Sequence, residues 1–129
     1  MTDRLDIRSP EDVVRVRQRV RTLAVQAGLS LVDQTKVVTA ASELARNTLD
    51  YGGGGTVDIE VVTSPRVGVR LTFEDHGPGI KDIDMAMRDG YTTGGGLGLG
   101  LGGAKRLCSE FTIQSARALA KRITCSRWK

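Results

Sequence analysis

Val67-Gly68-Val69-Arg70-Leu71-Thr72-Phe73-Glu74-Asp75-His76-Gly77-Pro78-Gly79 alternates apolar and polar residues and then stops at an acid followed by Gly-Pro-Gly. Val67, Val69, Leu71 and Phe73 stand against Gly68, Arg70, Thr72 and Glu74, the two-residue period of a half-buried strand. Such a strand delivers Asp75 to a sharp bend. Pro78 fixes φ near −65° and has no N–H to satisfy, while Gly77 and Gly79 permit positive φ or close backbone approach. An acid held there can accept a hydrogen bond from an exocyclic amine such as adenine N6, with glycine leaving room for a flat base. Taken alone, the segment also reads as an ordinary strand-end turn, where Asp and Gly are favoured for local reasons.

Two further segments flank this strand. On its N-terminal side, Val37, Ala40, Ala41, Leu44 and Thr48 recur at helical spacing within residues 33–51. Glu43 and Asn47, four apart, therefore project the same way from one helix. A carboxylate and an amide so placed can bind a hydroxyl, a water or a hard cation such as Mg²⁺, although a solvated helix face has the same pattern. On the C-terminal side, Thr92-Thr93-Gly94-Gly95-Gly96-Leu97-Gly98-Leu99-Gly100-Leu101-Gly102-Gly103 runs straight into Ala104-Lys105-Arg106-Leu107-Cys108-Ser109-Glu110, which reads as a helix. Backbone free of side chains leading into a helix N-terminus offers N–H donors and the positive end of the dipole to phosphates. No Gly-Lys-Ser/Thr follows, so the run is not a Walker A loop. The interleaved Leu97, Leu99 and Leu101 point to a packed element instead of a linker.

In this order and distance the three segments resemble the N box, G1 box and G2 box of the GHKL ATPase superfamily, which holds ATP in a fold unrelated to the P-loop. Ser42-Glu43-Leu44-Ala45-Arg46-Asn47, Glu74 to Ile80, Gly90-Tyr91-Thr92-Thr93-Gly94-Gly95 and Gly98 to Glu110 are similar to the small stress-response switch kinases of the RsbT type, relatives of the anti-sigma-factor kinases. The resemblance runs along nearly the whole chain. It implies a Bergerat fold over residues 1–129 as a single domain, an α+β two-layer sandwich with helices on one face of a mixed β-sheet.

Roles follow from the resemblance. Glu43 is implied as the general base for the acceptor hydroxyl and Asn47 as the Mg²⁺ ligand, with Asp75 reading the adenine amine. The ATP contacts implied are Asn47, Asp75, Gly77, Gly79, Ile80, Thr93, Gly94, Gly95, Gly96, Leu97, Gly98, Leu99, Gly100 and Lys105. Lys105 is preferred over Arg106 for neutralising phosphate charge. The implied activity is serine/threonine phosphorylation of a STAS-domain stressosome protein, followed by binding and activation of a PPM-type phosphatase. The rival expectation is a non-catalytic, nucleotide-gated binding module or anti-sigma factor. Two departures stand out: where the superfamily carries Gly-x-Gly-Thr before the last strand, this chain has Ala118-Leu119-Ala120-Lys121, and where anti-sigma kinases tend to carry arginine before the G2 glycines, it has Thr92 and Thr93.

Bulk properties fit that reading. With 129 residues the chain suits one core of modest size. Its net charge of +4 and 4% aromatic content do not describe a nucleic-acid surface, because Arg15, Arg17, Arg19 and Arg21 recur every second residue and spread around a helix. No apolar run of about 18 residues and no signal peptide are seen, so a cytoplasmic protein without a membrane partner is expected. Cys108 and Cys125 lack metal spacing and read as reduced, buried thiols, and His76 as an exposed loop residue. With no separate phosphoacceptor helix, autophosphorylation on histidine is not expected. The remaining pattern predicts a strand over 5–8, a helix from Ser9-Pro10-Glu11-Asp12 to near Gly28, strands over 56–63, 111–115 and 122–128, and a short helix within a lid over 82–89.

Overall fold

The computed structural model describes residues 2–75, 100–115 and 121–129. The expected lid, His76, Gly77, Gly79, Ile80, and Thr93 to Leu99 lie outside the described residues, as do Ala118 to Ala120.

The chain begins with strand β1 (Thr2–Ile7) and two helices, α1 (Pro10–Gln26) and α2 (Leu31–Gly52). Pro10 opens α1, and the Asp12 carboxylate reaches back to accept from the backbone N–H groups of Arg8 and Ser9 at 2.9 and 3.2 Å, closing donors that the first turn leaves unpaired. Ser30 caps α2 by accepting from the Asp33 N–H at 3.1 Å, and Gly53 ends it in the left-handed conformation at φ 71°. Strands β2 (Gly55–Val62) and β3 (Gly68–Asp75), helix α3 (Gly100–Arg106), and strands β4 (Glu110–Ser115) and β5 (Lys121–Trp128) follow.

The five strands form one sheet in the order β1-β2-β3-β5-β4. The α+β architecture is the expected one. Every pairing among the described residues is antiparallel, however, where a mixed sheet is expected. The reason is topological: α1 and α2 double back on each other, so β2 returns antiparallel to β1. The crossover through α3 does set β4 parallel to β3, but β5 lies between them and is hydrogen-bonded antiparallel to both.

One face of the sheet is covered by helices. Leu71 and Phe73 of β3, Val57 and Ile59 of β2, and Ile123 of β5 pack with Val16, Val20, Leu23, Val37 and Leu44 in a single apolar core, and α3 packs against α2 through its buried Leu101 and Ala104. The other face carries a ladder of directly opposed ion pairs. Arg4 meets Asp58 at 2.7 Å, Arg70 meets Glu60 at 3.7 Å and Arg122 meets Glu74 at 2.8 Å, each across neighbouring strands. The Arg4 hydrogen bond holds the Asp58 carboxyl below the usual carboxylate range, against the pull of partial burial. Cys108, just beyond α3, and Cys125 of β5 are joined in a disulfide, in place of the two free thiols expected. The chain brings them together because β5 runs beside the segment that leaves α3, as the backbone bond from Ser109 N–H to the Ser126 carbonyl shows.

Candidate functional site

The two-residue period that builds β3 also decides where Asp75 points. Val69, Leu71 and Phe73 face the helices, so Asp75, two residues on, ends the strand on that same buried face and is 2% exposed. Directly opposite it in the β3–β5 register stands Lys121, on the inward row shared with Ile123 and Cys125 and 4% exposed. The Lys121 ammonium lies 3.2 Å from Oδ2 of Asp75. It also donates to the side-chain oxygen of Asn47 on α2. One cation thus joins the G1-like acid, the N-box-like amide and the start of the last strand.

The helix side of the site follows from the apolar stripe of α2. Val37, Ala41, Leu44 and Thr48 are buried, and Glu43 and Asn47 occupy the half-buried row at the edge of that stripe, while Arg46 turns outward. The Glu43 carboxylate is 15% exposed and has the Arg46 guanidinium 3.8 Å away. At the end of the same helix, Gly52 lies against Asp75: a β-carbon there would stand 2.5 Å from the carboxyl carbon of Asp75 and 2.6 Å from its Cβ. Only glycine leaves that carboxylate its place.

The described residues therefore bring Asn47, Asp75 and, on the same helix, Glu43 to one end of the sheet. Gly100 begins α3, and Lys105 is exposed on it. Gly102 and Gly103, expected in the glycine cradle, lie buried within this helix, and the cradle positions before Gly100 lie outside the described residues. Sequence reading places Gly52 in a loop over 52–55 with no role in the site, whereas it ends α2, and takes Lys121 only as a lost threonine. Gly52 had a signal, since Gly52-Gly53-Gly54-Gly55 is more glycine than a helix end needs; Lys121 had none, because its place opposite Asp75 depends on the pairing of β5 with β3.

A nucleotide fits this donor set in kind. The Asp75 carboxylate can only accept and so suits an amine, and the Asn47 carbonyl oxygen is a hard donor of the sort Mg²⁺ prefers. Both oxygens face Lys121.

Comparison with known proteins points to one family. Residues 32–126 match the family model of the histidine kinase-, DNA gyrase B-, and HSP90-like ATPases. The chain is 44% identical over 118 residues, 91% of its own length and 89% of the relative's, to the serine/threonine-protein kinase RsbT of Bacillus subtilis strain 168. Among solved structures, the RsbU and RsbW domains of a Mycobacterium tuberculosis protein superpose with a TM-score of 0.67 at 21% identity, covering 99% of this chain and 31% of that one. The SiaB-SiaC complex of Pseudomonas aeruginosa gives a TM-score of 0.62 at 11% identity, covering 100% of this chain and 89% of that one. These two likenesses are of fold. The chain belongs to the histidine kinase-, DNA gyrase B-, and HSP90-like ATPase family, among its RsbT-type serine/threonine protein kinases.

Proposed function

We propose that this kinase transfers the γ-phosphoryl group of ATP to a serine or threonine of a STAS-domain partner and, once released, binds and activates a PPM-type phosphatase. The observation that carries the site assignment is the meeting of Asn47 and Asp75 on the two oxygen-facing sides of Lys121, at the sheet end reached by the Glu43 helix.

In this reading Asp75 accepts from the adenine amine, with Gly52 keeping the space around it. Asn47 would hold Mg²⁺, which would supply neutralisation of phosphate charge. Glu43, one turn earlier on α2 than Asn47, takes the proton of the acceptor hydroxyl. Phosphoryl transfer through a loose transition state is mostly positioning and charge stabilisation, so one base, one metal and a phosphate cradle would suffice. Gly77, Gly79, Ile80, Thr93 to Gly100 and Lys105 complete the nucleotide contacts. Partner release has an electrostatic cause: a phosphate of nearly two negative charges placed beside Glu43 weakens the complex that made it.

The test is incubation with γ-labelled ATP and STAS-domain proteins encoded beside the gene. Label on a STAS serine or threonine is expected. Stoichiometric ATP binding with no transfer to any of them would instead support a nucleotide-gated binding module.

A further inference from the structure

Lys121 stands apart from the rest of the site because it is a buried cation with no place in the phosphotransfer chemistry. Lysine is among the residues least often fully buried, and when buried it is paired. Here the pairing is with the two groups assigned to the ligand. Its ammonium is 3.2 Å from Asp75 Oδ2 and donates to Asn47 Oδ1, with the Lys121 and Asp75 side chains 5% and 2% exposed. An ammonium resembles both ligand groups these oxygens would meet. To Asp75 it offers N–H donors, as an amine does, and to Asn47 it offers a positive charge, as a divalent cation does.

We propose that Lys121 is a specificity-determining residue of the nucleotide site, an internal competitor that Mg²⁺-nucleotide must displace from Asp75 and Asn47 in order to bind. This inference rests on the nucleotide pocket of the proposed function. Two cations cannot share the half-buried Asn47 oxygen without strong repulsion, since charges at contact distance are screened less there than in bulk water. Nor can the amine add to Asp75 on the side already filled. Binding is therefore an exchange, and its free energy is reduced by whatever the Lys121 contacts contribute. A binding-competent arrangement that must be reached by breaking existing contacts lowers apparent affinity in proportion to its scarcity. Mg²⁺, opposed directly by the ammonium, feels the competition most.

The experiment compares the wild-type protein with Lys121→Thr and Lys121→Met by calorimetric titration with ADP, at several Mg²⁺ concentrations. Threonine restores a short hydroxyl donor for Asp75 and methionine keeps the length of the stem without the charge. Both variants are expected to bind ADP about tenfold more tightly or better, with the gain larger at high Mg²⁺ than in its absence. Equal affinity in folded variants overturns the proposal and leaves the pocket standing, and weaker binding overturns it by making the ammonium a phosphate ligand. No ADP binding by any of the three proteins overturns the pocket and the proposal together. Should both variants fail to fold, the wild-type protein still decides: the ¹⁵Nζ resonance of Lys121 is expected to shift on adding Mg²⁺-ADP, and one that stays fixed while the Asp75 amide responds overturns the displacement.

Discussion

Arg127, near the end of β5, grips Asp33 in the first turn of α2 through both Nε and Nη2, which donate to Oδ1 at 3.0 and 2.8 Å. The pair spans 94 residues of sequence and fastens the start of the Glu43 helix to the sheet. The Arg127 hydrogen bonds hold the Asp33 carboxyl below its ordinary range, burial opposes them, and Ser30 adds to the lowering. A carboxyl lowered on folding contributes stability that is present above its unfolded pKa near 4 and is lost as pH falls through its folded value. Asp33→Asn is thus expected to cost about 1 kcal/mol at pH 7, the scale of a partly exposed charged pair. Melting temperatures of the two proteins should converge as pH falls below 4, and a constant gap down to pH 2 would contradict the ion-pair origin.

Gly52→Ala places a methyl group 2.5 Å from the Asp75 carboxyl carbon and 2.6 Å from its Cβ. Because the clash reaches Cβ, rotation of the short side chain does not relieve it, and the end of β3 or of α2 must shift. A cost of about 1–3 kcal/mol is expected from such overpacking. The same shift carries Asp75 away from its position, so nucleotide affinity should fall along with the melting temperature. A variant that melts early yet binds ATP normally would detach Gly52 from the site.

Much of this was legible in the sequence because single periodicities fix it. Alternation through Phe73 places Asp75 on the buried face, and the stripe of Val37, Ala41, Leu44 and Thr48 places Glu43 and Asn47 at its margin. The helix α3 begins earlier than expected, at Gly100, because Leu101 and Ala104 bury against α2 and tertiary packing outweighs the low helix propensity of Gly102 and Gly103. What was not legible depends on pairing between distant segments. Lys121 reads only as a lost threonine until β5 is set beside β3. The antiparallel sheet and the Cys108–Cys125 disulfide likewise follow from the insertion of β5 between β3 and β4, which no local pattern announces.

Asp75→Asn is expected to abolish ATP binding, because an amide offers one neutral acceptor where the amine needs a carboxylate and sites built around a hydrogen bond reject its loss strongly. It also leaves the Lys121 ammonium buried beside a neutral group, and breaking one side of a buried pair typically costs about 3–5 kcal/mol. Lost binding by the single variant is therefore ambiguous. Asp75→Asn/Lys121→Met removes both charges, so it is expected to recover most of the melting temperature without recovering ATP binding. Recovery of binding together with stability would show that Asp75 supports the fold and does not read the base.

Glu43→Ala separates chemistry from binding. The side chain lies in the half-buried row of α2, one turn from Asn47, and its carboxylate has Arg46 3.8 Å away at the surface. Glu43 is half-buried whereas Asp75 is buried against the Lys121 ammonium, so removing Glu43 is expected to change stability by less than the Asp75 variant does. ATP affinity is expected to stay within a few-fold of wild type. Transfer to the STAS partner is expected to fall by about 10²–10⁴-fold, the usual effect of losing a general base. Glu43→Gln sharpens the test, since it keeps size and hydrogen bonding but cannot take a proton at neutral pH. Both variants should be equally slow in single-turnover transfer from bound ATP. If Glu43→Gln transfers at the wild-type rate while Glu43→Ala does not, Glu43 orients the acceptor hydroxyl through a hydrogen bond and the proton leaves by another route.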